Sequence, residues 1–413
     1  MLTFFKISWR NVWRNRRRTT IALLAMSLAL TLIITFDGMM ESFTTIMYGK
    51  SVKLEGGNVL VHAPGYQEKV FQLPLLPIPQ DAADAAVLFA QKQPDVIAAS
   101  QRIETGGLLS SREGSFPATL IGVRPDLEGQ ISPVAENMVS GRYLNLEDED
   151  QILIGHNMAS DLDAAIGDRV TLTGRAAHSQ TRQRTMTVVG IYKLGAADLE
   201  GDVFMTLSEA QTLFGLSNQV TEIGVYLEDV GKEDPTVARM QAALPGYEVL
   251  SWDTLDPTLT DAMAIDQQFM EIMNIVMLII AGVGIFNLML MVVVERTREI
   301  GLISALGLKR REIMALFLLE GSFLGLISTA VGVALGVFLN WLGGLYGLPM
   351  PGGESVTGLG SIYALMGDRI YFTNTPELIL QRAVLVIAVA AIASLYPAWR
   401  AASQEPTEAL HHI

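Results

Sequence analysis

Cysteine is absent from the 413-residue sequence. Neither a disulfide framework nor a thiolate metal site can therefore form, even where the chain faces an oxidising compartment. Other site motifs are missing as well. The histidines His62, His156 and His178 are scattered without a metal-binding spacing, and nothing like Gly-x-Ser-x-Gly surrounds a serine. The sequence therefore predicts no metal site and no catalytic site of its own.

A nucleotide-binding loop is missing too. Gly49-Lys50-Ser51 resembles the end of a phosphate loop, but Thr44 stands where that loop requires its first glycine. No Walker motif occurs elsewhere in the sequence. We therefore predict that the chain is not an ATPase and binds no cofactor itself, so any energy must come from another protein.

Charged residues make up only 17% of the sequence and are unevenly placed. Residues 1–20 carry six cations and no acid, whereas residues 45–265 carry 30 acids against 15 cations. Cations near membrane spans collect on the cytoplasmic side. The asymmetry therefore predicts a cytoplasmic N-terminus and an acidic domain on the outer side, and such a domain is a poor partner for nucleic acid.

Half of the residues are hydrophobic, and they concentrate in a few long blocks. About 20 apolar residues cross the hydrocarbon core as a helix. The sequence predicts an integral membrane α-helical protein with four transmembrane helices, at 19–44, 268–294, 313–342 and 377–397. A mixed α/β domain at 45–267 would stand outside the membrane between the first and second spans, and 343–376 would form an outer loop. Residues 295–312 and the tail at 398–413 would be cytoplasmic.

Residues 1–18 have an aromatic and a basic face, which predicts an amphipathic helix at the cytoplasmic surface. A secretory leader is the alternative. The apolar run at 19–36 is long for a leader, however, and no small-x-small cleavage site follows it. We therefore expect an uncleaved first span.

Within the outer domain, alternating apolar residues predict strands at 58–62, 118–123, 169–173, 185–192 and 222–227. Helical spacing predicts helices at 81–93 and 235–243. The flanks, 50–140 and 216–262, show a β-α-β rhythm, and the centre, 141–215, is expected to be an inserted small β domain. The acids at 147–150 predict a solvated turn, with calcium binding as the alternative.

The segment 295–312 lies between the second and third spans. Its cations Arg296, Arg298, Lys309, Arg310 and Arg311 predict a cytoplasmic loop. The apolar residues Ile300, Leu302, Ile303 and Leu306 recur at helical spacing, and Gly307 stands where a glycine commonly ends a helix. Periodicity alone leaves two readings open: a short helix at the membrane surface, or a plain loop that sets topology.

Two stretches carry a family resemblance. Residues 295–307, followed by Glu320-Gly321, form the first; Tyr396-Pro397-Ala398-Trp399-Arg400-Ala401-Ala402 and residues 405–410 form the second. Together they resemble the signature of the FtsX-like permease superfamily. This superfamily comprises the membrane subunits of macrolide-exporter-type and lipoprotein-release-type (type VII) ABC transporters. The long 343–376 loop is most similar to the lipoprotein-release branch.

The resemblance implies a bacterial inner-membrane permease with both termini in the cytoplasm. The outer domain would be periplasmic, with porter-like flanks and an inserted β-rich part. The implied partners are a cytoplasmic ABC ATPase dimer, which would hold ATP and Mg, and a second permease copy or paralogue. Membrane lipids, lipoprotein cargo and a periplasmic chaperone or adaptor are further expected partners.

The resemblance also assigns roles to residues. Arg298 and Glu299 are expected as polar contacts to the ATPase. Four apolar residues of that helix are expected to be buried against the ATPase: Ile300, Leu302, Ile303 and Leu306. Gly307 is expected to end the helix. Cargo would lie between the first and second spans, where methionine-rich walls suit acyl chains, although ordinary helix packing explains the same residues: Met39, Met40, Phe43, Phe269, Met273, Met277 and Ile280.

Small-residue pairs in the third span predict close helix packing, either within one chain or against a second copy: Gly321, Gly325, Gly332 and Gly336. Glu320 lies in the same span and is expected to meet a cation or a backbone donor, because an unpaired acid at that depth is unfavourable. Asp37, near the outer end of the first span, is expected either to reach the interface or to have a functional role.

The expected function is coupling of ATP hydrolysis by a separate ATPase to movement of the periplasmic domain, with release of lipoproteins or other amphiphiles from the inner membrane. Two alternatives remain open. One is efflux of drugs or peptides with a periplasmic adaptor. The other is mechanical signalling to an extracytoplasmic partner without transport.

Overall fold

The computed structural model describes residues 16–176, 180–194, 200–228, 230–349 and 369–403. Most of the amphipathic helix expected at 1–18, His178, most of the 343–376 loop and the 405–410 motif lie outside the described residues. The chain divides into two units. The membrane unit comprises Met1–Ser42, Ala262–Leu348 and Ile370–Ile413, and the outer unit comprises Phe43–Asp261 and Pro349–Arg369.

The first long helix, α1, runs over Arg16–Leu54, which is about 58 Å at 1.5 Å per residue. This length exceeds the roughly 30 Å of a hydrocarbon core. The helix therefore continues well beyond the span predicted at 19–44.

The outer unit contains short helices around a large sheet. Its strands are β1 Val59–His62, β2 Ile78–Pro79, β3 Val96–Ser110, β4 Ser115–Val123, β5 Met138–Gly141, β6 Gln151–Gly155, β7 Arg169–Arg175, β8 Thr181–Tyr192, β9 Asp202–Thr206, β10 Gln219–Val220, β11 Glu222–Leu227 and β12 Glu248–Ser251. Its helices are α2 Gln80–Ala90, α3 Pro125–Glu128, α4 Pro133–Glu136, α5 His156–Asp161, α6 Leu207–Phe214, α7 Asp234–Ala243 and α8 Trp252–Leu255, with a 3₁₀ helix at Gln67–Gln72.

Ten of these strands form one sheet in the order β12-β1-β11-β3-β4-β9-β6-β8-β5, with β7 paired to β3 and β8. All five predicted strands and both predicted helices are present. The centre, 141–215, was predicted as an inserted small β domain; it is rich in strands, and these strands continue the same sheet as those of the flanks. The physical reason is the length of β3, whose first half pairs with β11 and whose second half pairs with β7.

The core of the outer unit lies between this sheet and the helices α2, α5, α6 and α7. Fully buried aliphatic side chains from both the flanks and the centre form one cluster, including Val59, Ile103, Leu120, Ile154 and Val188. Because the two regions share a core as well as a sheet, we expect them to unfold together. The acids expected in a solvated turn are partly structural: Asp148 accepts hydrogen bonds from Arg142 at 2.7 and 2.8 Å.

The rest of the membrane unit is built from long helices, α9 Pro257–Glu295, α11 Arg310–Tyr346 and α12 Pro376–Ala402, with the short α10 Thr297–Ala305 between α9 and α11. The two-residue strands β13 Leu348–Pro349 and β14 Arg369–Ile370 pair with each other. Among the described residues, four helices are long and apolar enough to cross a membrane: α1, α9, α11 and α12.

The last helix continues beyond the span predicted at 377–397, because α12 runs through Pro397 to Ala402. A proline inside a helix removes one backbone donor and its ring clashes with the preceding turn, which costs about 3 kcal/mol. Ala398, Ala401 and Ala402 then pack in a buried cluster with Val293 and Phe317, which stabilises the continued helix.

Two glycine pairs give α11 close neighbours on two sides. A Cβ added at Gly325 would lie 2.7 Å from Cβ of Ala390 on α12. A Cβ added at Gly332 or Gly336 would lie 2.9 Å from Cβ of Leu30 or Ile34 on α1. Gly321 faces Ser394 at similarly close range. Of the two readings of these glycines, packing within one chain is confirmed.

Candidate functional site

The short helix α10 begins at a break in the α9 helix. Arg296, whose φ of −96° and ψ of 11° are not helical, separates the two helices. The hydroxyl of Thr297 donates to the carbonyl oxygens of Val293 and Val294, which caps the last turn of α9. At its other end α10 stops at Gly307, whose φ of +99° is one that glycine adopts without strain. Of the two readings of this segment, the helix is correct.

An ion pair anchors the start of α10. Arg296 Nη1 lies 3.1 and 3.2 Å from the two carboxylate oxygens of Glu320 on α11. Both side chains are buried, with 7% and 3% of their surface exposed. The expectation that Glu320 meets a cation is therefore confirmed. Such a pair fixes geometry more than it adds stability, because burying both charges offsets most of their attraction.

The apolar residues of α10 divide between two environments. Ile300 is only 4% exposed and packs with Val293, Ile313 and Phe317 of the same chain. The expectation that Ile300 contacts an ATPase is therefore wrong: its position toward α11 and α12 buries it within the chain. Ile303 is half-buried, whereas Leu302 and Leu306 are 55% and 77% exposed.

We call the surface formed by Arg298, Glu299, Leu302 and Leu306 the docking face, because the first three are exposed on α10 and Leu306 is exposed directly after it. A small cleft of about 30 Å³ lies beside it, with apolar walls from Ile300, Ile303, Leu308, Ile313, Leu316 and Phe317. The rim of the cleft carries Arg296 and Glu299. An exposed apolar pair beside an apolar cleft is the arrangement by which proteins commonly bind a partner.

A basic segment follows the docking face in sequence. Lys309, Arg310 and Arg311 are exposed at the start of α11. The backbone N–H of Lys309 donates to the Glu312 carboxylate at 2.8 Å, which sets where α11 begins. This concentration of cations is of the kind found on the cytoplasmic side of a membrane.

Some of the residues expected to contact cargo are exposed, and the others are half-buried. Phe269 and Ile280 on α9 are 53% and 64% exposed. The methionines are half-buried, and so is Phe43 of the outer unit: Met39, Met40, Met273 and Met277. Their role remains a prediction.

A polar cluster in the membrane unit was missed at the sequence level. Arg382 Nε on α12 donates to Asp37 Oδ2 at 2.7 Å, and Asn274 Nδ2 on α9 donates to Asp37 Oδ1 at 3.1 Å. Asp37 is 6% exposed, so the interpretation that it merely reaches the interface is wrong. An arginine in an otherwise apolar span is the signal that would have indicated a partner.

A second missed cluster lies in the outer unit, where α1 ends. The guanidinium of Arg102 on β3 is buried, pairs with Glu128 and donates to the carbonyl oxygen of Leu54 at 3.1 Å. Burial lowers the pKa of Arg102, but Glu128 raises it further, so the net pKa is well above its ordinary value. Arg102 therefore ties the end of α1 to the sheet with a permanent charge. Nothing in the sequence indicated that Arg102 is buried, because the burial of a single arginine depends on tertiary packing.

Two protein families match the chain. The MacB-like periplasmic core domain matches residues 19–243, and the FtsX-like permease C-terminal domain matches residues 271–406. The chain belongs to the FtsX-like permeases with a MacB-like periplasmic core domain. The expected architecture, four candidate spans with a large periplasmic domain between the first and second, is thereby confirmed.

Curated relatives agree with this membership. The chain is 27% identical to the lipoprotein-releasing system transmembrane protein LolC of Xylella fastidiosa, over 95% of this chain and 93% of the relative. It is 23% identical to the transmembrane protein LolE of the same system in Haemophilus influenzae, over 78% of each chain. Among solved structures, the periplasmic region of MacB from Actinobacillus actinomycetemcomitans shares 14% identity with a TM-score of 0.35, over 50% of this chain and 94% of that one.

Proposed function

We propose that this FtsX-like permease is the membrane subunit of an ABC transporter that releases lipoproteins from the bacterial inner membrane. The full-length similarity to LolC and LolE supports this cargo class. In this proposal both termini and α10 are cytoplasmic, and the acidic outer unit is periplasmic. The basic residues flanking α10 and the acidic outer unit support that orientation.

The docking face carries the proposal. Leu302 and Leu306 expose apolar surface on a helix that is itself fixed by Arg296, Glu320 and buried Ile300. An apolar pair on a fixed helix suits a rigid partner that must transmit displacement, because little motion is lost in the helix. We infer that the partner is a cytoplasmic ABC ATPase, which would hold ATP and Mg. Two ATPases would serve a pair of permeases, either identical or paralogous.

Displacement of α10 would act on α9 and α11, which flank it. Helix α1 packs on α11 at Gly332 and Gly336, so α1 would follow α11. At its far end α1 is tied to β3 through Arg102 and Leu54. A continuous chain of contacts thus supports transmission of ATPase closure to the periplasmic sheet.

The test is reconstitution of the permease with its ATPase in liposomes that contain a triacylated lipoprotein. We expect ATP-dependent transfer of the lipoprotein to a soluble periplasmic carrier protein. A liposome holding a catalytically inactive ATPase is the control. Absence of transfer, with an active and correctly assembled complex, would overturn the proposed cargo.

Efflux with a periplasmic adaptor is a second candidate, because the periplasmic core matches the MacB-like family. In that case the same complex would bind a hairpin adaptor protein and would confer resistance to a macrolide when coexpressed with an outer-membrane duct. If ATPase activity instead responded to a periplasmic hydrolase, with neither lipoprotein nor drug moved, mechanical signalling would be the better account.

A further inference from the structure

The outer part of α9 is held to the rest of the membrane unit by very few contacts. Within residues 262–277 of α9, Asn274 is the one buried residue, with 3% of its surface exposed. Its neighbours Ile272, Ile275 and Val276 are all exposed. Below this point the packing becomes continuous, because Leu278, Ile285 and Met289 enter apolar clusters.

The outer part of α1, by contrast, is fixed to α11 and α12. Leu30 and Ile34 pack against Gly332 and Gly336, and Asn340 Nδ2 on α11 donates to the Ile34 carbonyl oxygen at 3.1 Å. Asp37 pairs with Arg382 on α12 at 2.7 Å. Helices α1, α11 and α12 therefore form one packed group, and the outer part of α9 lies against this group.

The hydrogen bond between Asn274 and Asp37 connects α9 to that group. We call this contact the outer seam: Asn274 Nδ2 donates to Asp37 Oδ1 at 3.1 Å. The Asn274 amide oxygen is buried with no hydrogen-bond partner among the described residues. A half-satisfied amide stabilises its closed position weakly, whereas the Asp37–Arg382 pair joins two full charges at short range.

We propose that Asn274 and Asp37 hold the outer seam closed, and that their hydrogen bond breaks while the Asp37–Arg382 pair stays intact when acyl chains enter between α1 and α9. The proposal rests on the proposed function for its cargo, a lipid-anchored protein. On the same face of α9 as Asn274 lie the half-buried apolar side chains of Met270, Met277 and Leu278, which suit acyl chains as occupants. Asn274 is thus a positioning residue that sets how readily the seam opens.

The primary test replaces Asn274 without disturbing the ion pair. Asn274→Leu removes the hydrogen bond but keeps the Asp37–Arg382 pair and is close in volume, so the variant is expected to fold. The wild-type chain has no cysteine, so spin labels can be placed at Leu32→Cys and Ile272→Cys, two exposed positions on α1 and α9. Pulsed EPR on the assembled complex, with labelled permease diluted into unlabelled permease, measures the distance between α1 and α9.

We expect Asn274→Leu to raise the ratio of the long-distance to the short-distance population about tenfold, as loss of one membrane hydrogen bond to a charged group implies. Asn340→Leu is the matched control, because it removes the same chemical group at the contact between α1 and α11. It is expected to leave the α1–α9 distances unchanged. An unchanged distribution in Asn274→Leu, or an equal change in Asn340→Leu, would overturn the inference.

A second measurement closes the seam covalently. Asp37→Cys combined with Asn274→Cys places two thiols where the hydrogen bond stood. Asp37→Cys also removes the ion pair with Arg382, so the reduced double variant is the reference. Oxidation is expected to stop the lipoprotein release of that reduced variant and reduction to restore it, with neither effect in the single-cysteine variants. Release at the same rate in both states would contradict the inference.

The two experiments separate this inference from the proposed function. If the wild-type complex releases no lipoprotein but Asn274→Leu still widens the α1–α9 distance, the role of Asn274 in closing the outer seam is supported and the proposed cargo is contradicted. If lipoprotein is released but Asn274→Leu leaves the α1–α9 distance distribution unchanged, the proposed cargo is supported and the proposed role of the outer seam is contradicted.

Discussion

Arg296 and Glu320 lie 24 positions apart in sequence, yet the guanidinium Nη1 is 3.1 Å from one carboxylate oxygen and 3.2 Å from the other. Arg296 directly follows α9, and Glu320 lies in the third turn of α11. The pair therefore fixes the angle at which α10 leaves the membrane helices. Coupling through α10 depends on this angle, because Arg296, the Thr297 cap and buried Ile300 hold the N-terminal half of the helix that carries the docking face.

The first prediction concerns this pair. Glu320→Gln should lower the free energy of unfolding by about 3–5 kcal/mol, because it leaves the buried Arg296 without its counter-charge. The double variant Arg296→Met/Glu320→Met should be closer to the wild type, since neither charge then remains buried. Thermal unfolding of the detergent-solubilised protein measures both. A single variant as stable as the wild type would show that the pair does not fix α10.

The second prediction concerns the contact between α11 and α12. Gly325→Ala should destabilise the membrane unit by about 1–3 kcal/mol, because the new Cβ would lie 2.7 Å from Cβ of Ala390. Adding Ala390→Gly should restore most of the loss by vacating that space. Gly284→Ala on α9 is the matched control, since nothing lies within 4 Å of its added Cβ. If all three variants unfold at one temperature, the packing assignment is wrong.

The third prediction tests the tie between α1 and the sheet. Arg102→Met should remove the charge beside Glu128 and the donor to the Leu54 carbonyl, and should lower stability by about 3–5 kcal/mol. Arg102→Lys keeps the charge but loses the forked geometry, so it should lie between Met and the wild type. ATP hydrolysis and cargo release are then measured together. The tie is needed for coupling only if Arg102→Lys hydrolyses ATP normally and releases less cargo.

The fourth prediction concerns acid stability. Burial lowers the pKa of His62 from 6.5 to about 4. The unfolded chain then binds this proton more readily than the folded protein, so His62 lowers stability as pH falls from about 6.5 to 4. The full effect is about 3 kcal/mol. His62→Gln should abolish this part of the acid sensitivity.

The measurement is the difference in unfolding temperature between His62→Gln and its parent across pH 4–8. Glu222 lies 3.7 Å from His62, and burial raises its pKa well above the ordinary value. Both proteins should therefore carry Glu222→Gln, which removes that titration. Parallel curves for the two proteins would contradict the lowered pKa of His62.

Sequence patterns predicted the elements well where each residue's role is local. The strand at 222–227 follows from its β-branched and aromatic residues, and Gly307 ends α10 because only glycine adopts φ +99° without strain. The spacing of the glycines likewise indicated that α11 has close neighbours. These features need no knowledge of the partner.

Tertiary relationships were the part that sequence could not provide. Ile300 and Leu302 lie on nearly opposite faces of a helix, and periodicity cannot say which face meets the rest of the chain; the positions of α11 and α12 bury Ile300 and expose Leu302. The joining of 141–215 to the main sheet depends on β3 extending to Ser110, through Gly106 and Gly107, which weaken the strand signal. Arg102 and Arg382 find their partners only after folding.

The docking face provides the most direct test of the central claim. The double variant Leu302→Asp/Leu306→Asp should fold like the wild type, because both residues are exposed, but it should bury two unpaired carboxylates when the ATPase binds. Leu302→Met/Leu306→Met keeps the apolar surface and is the control. We predict that co-purification of the ATPase falls at least about tenfold in the Asp variant only, with loss of ATP-driven release. Co-purification and release at wild-type levels in the Asp variant would contradict coupling through α10.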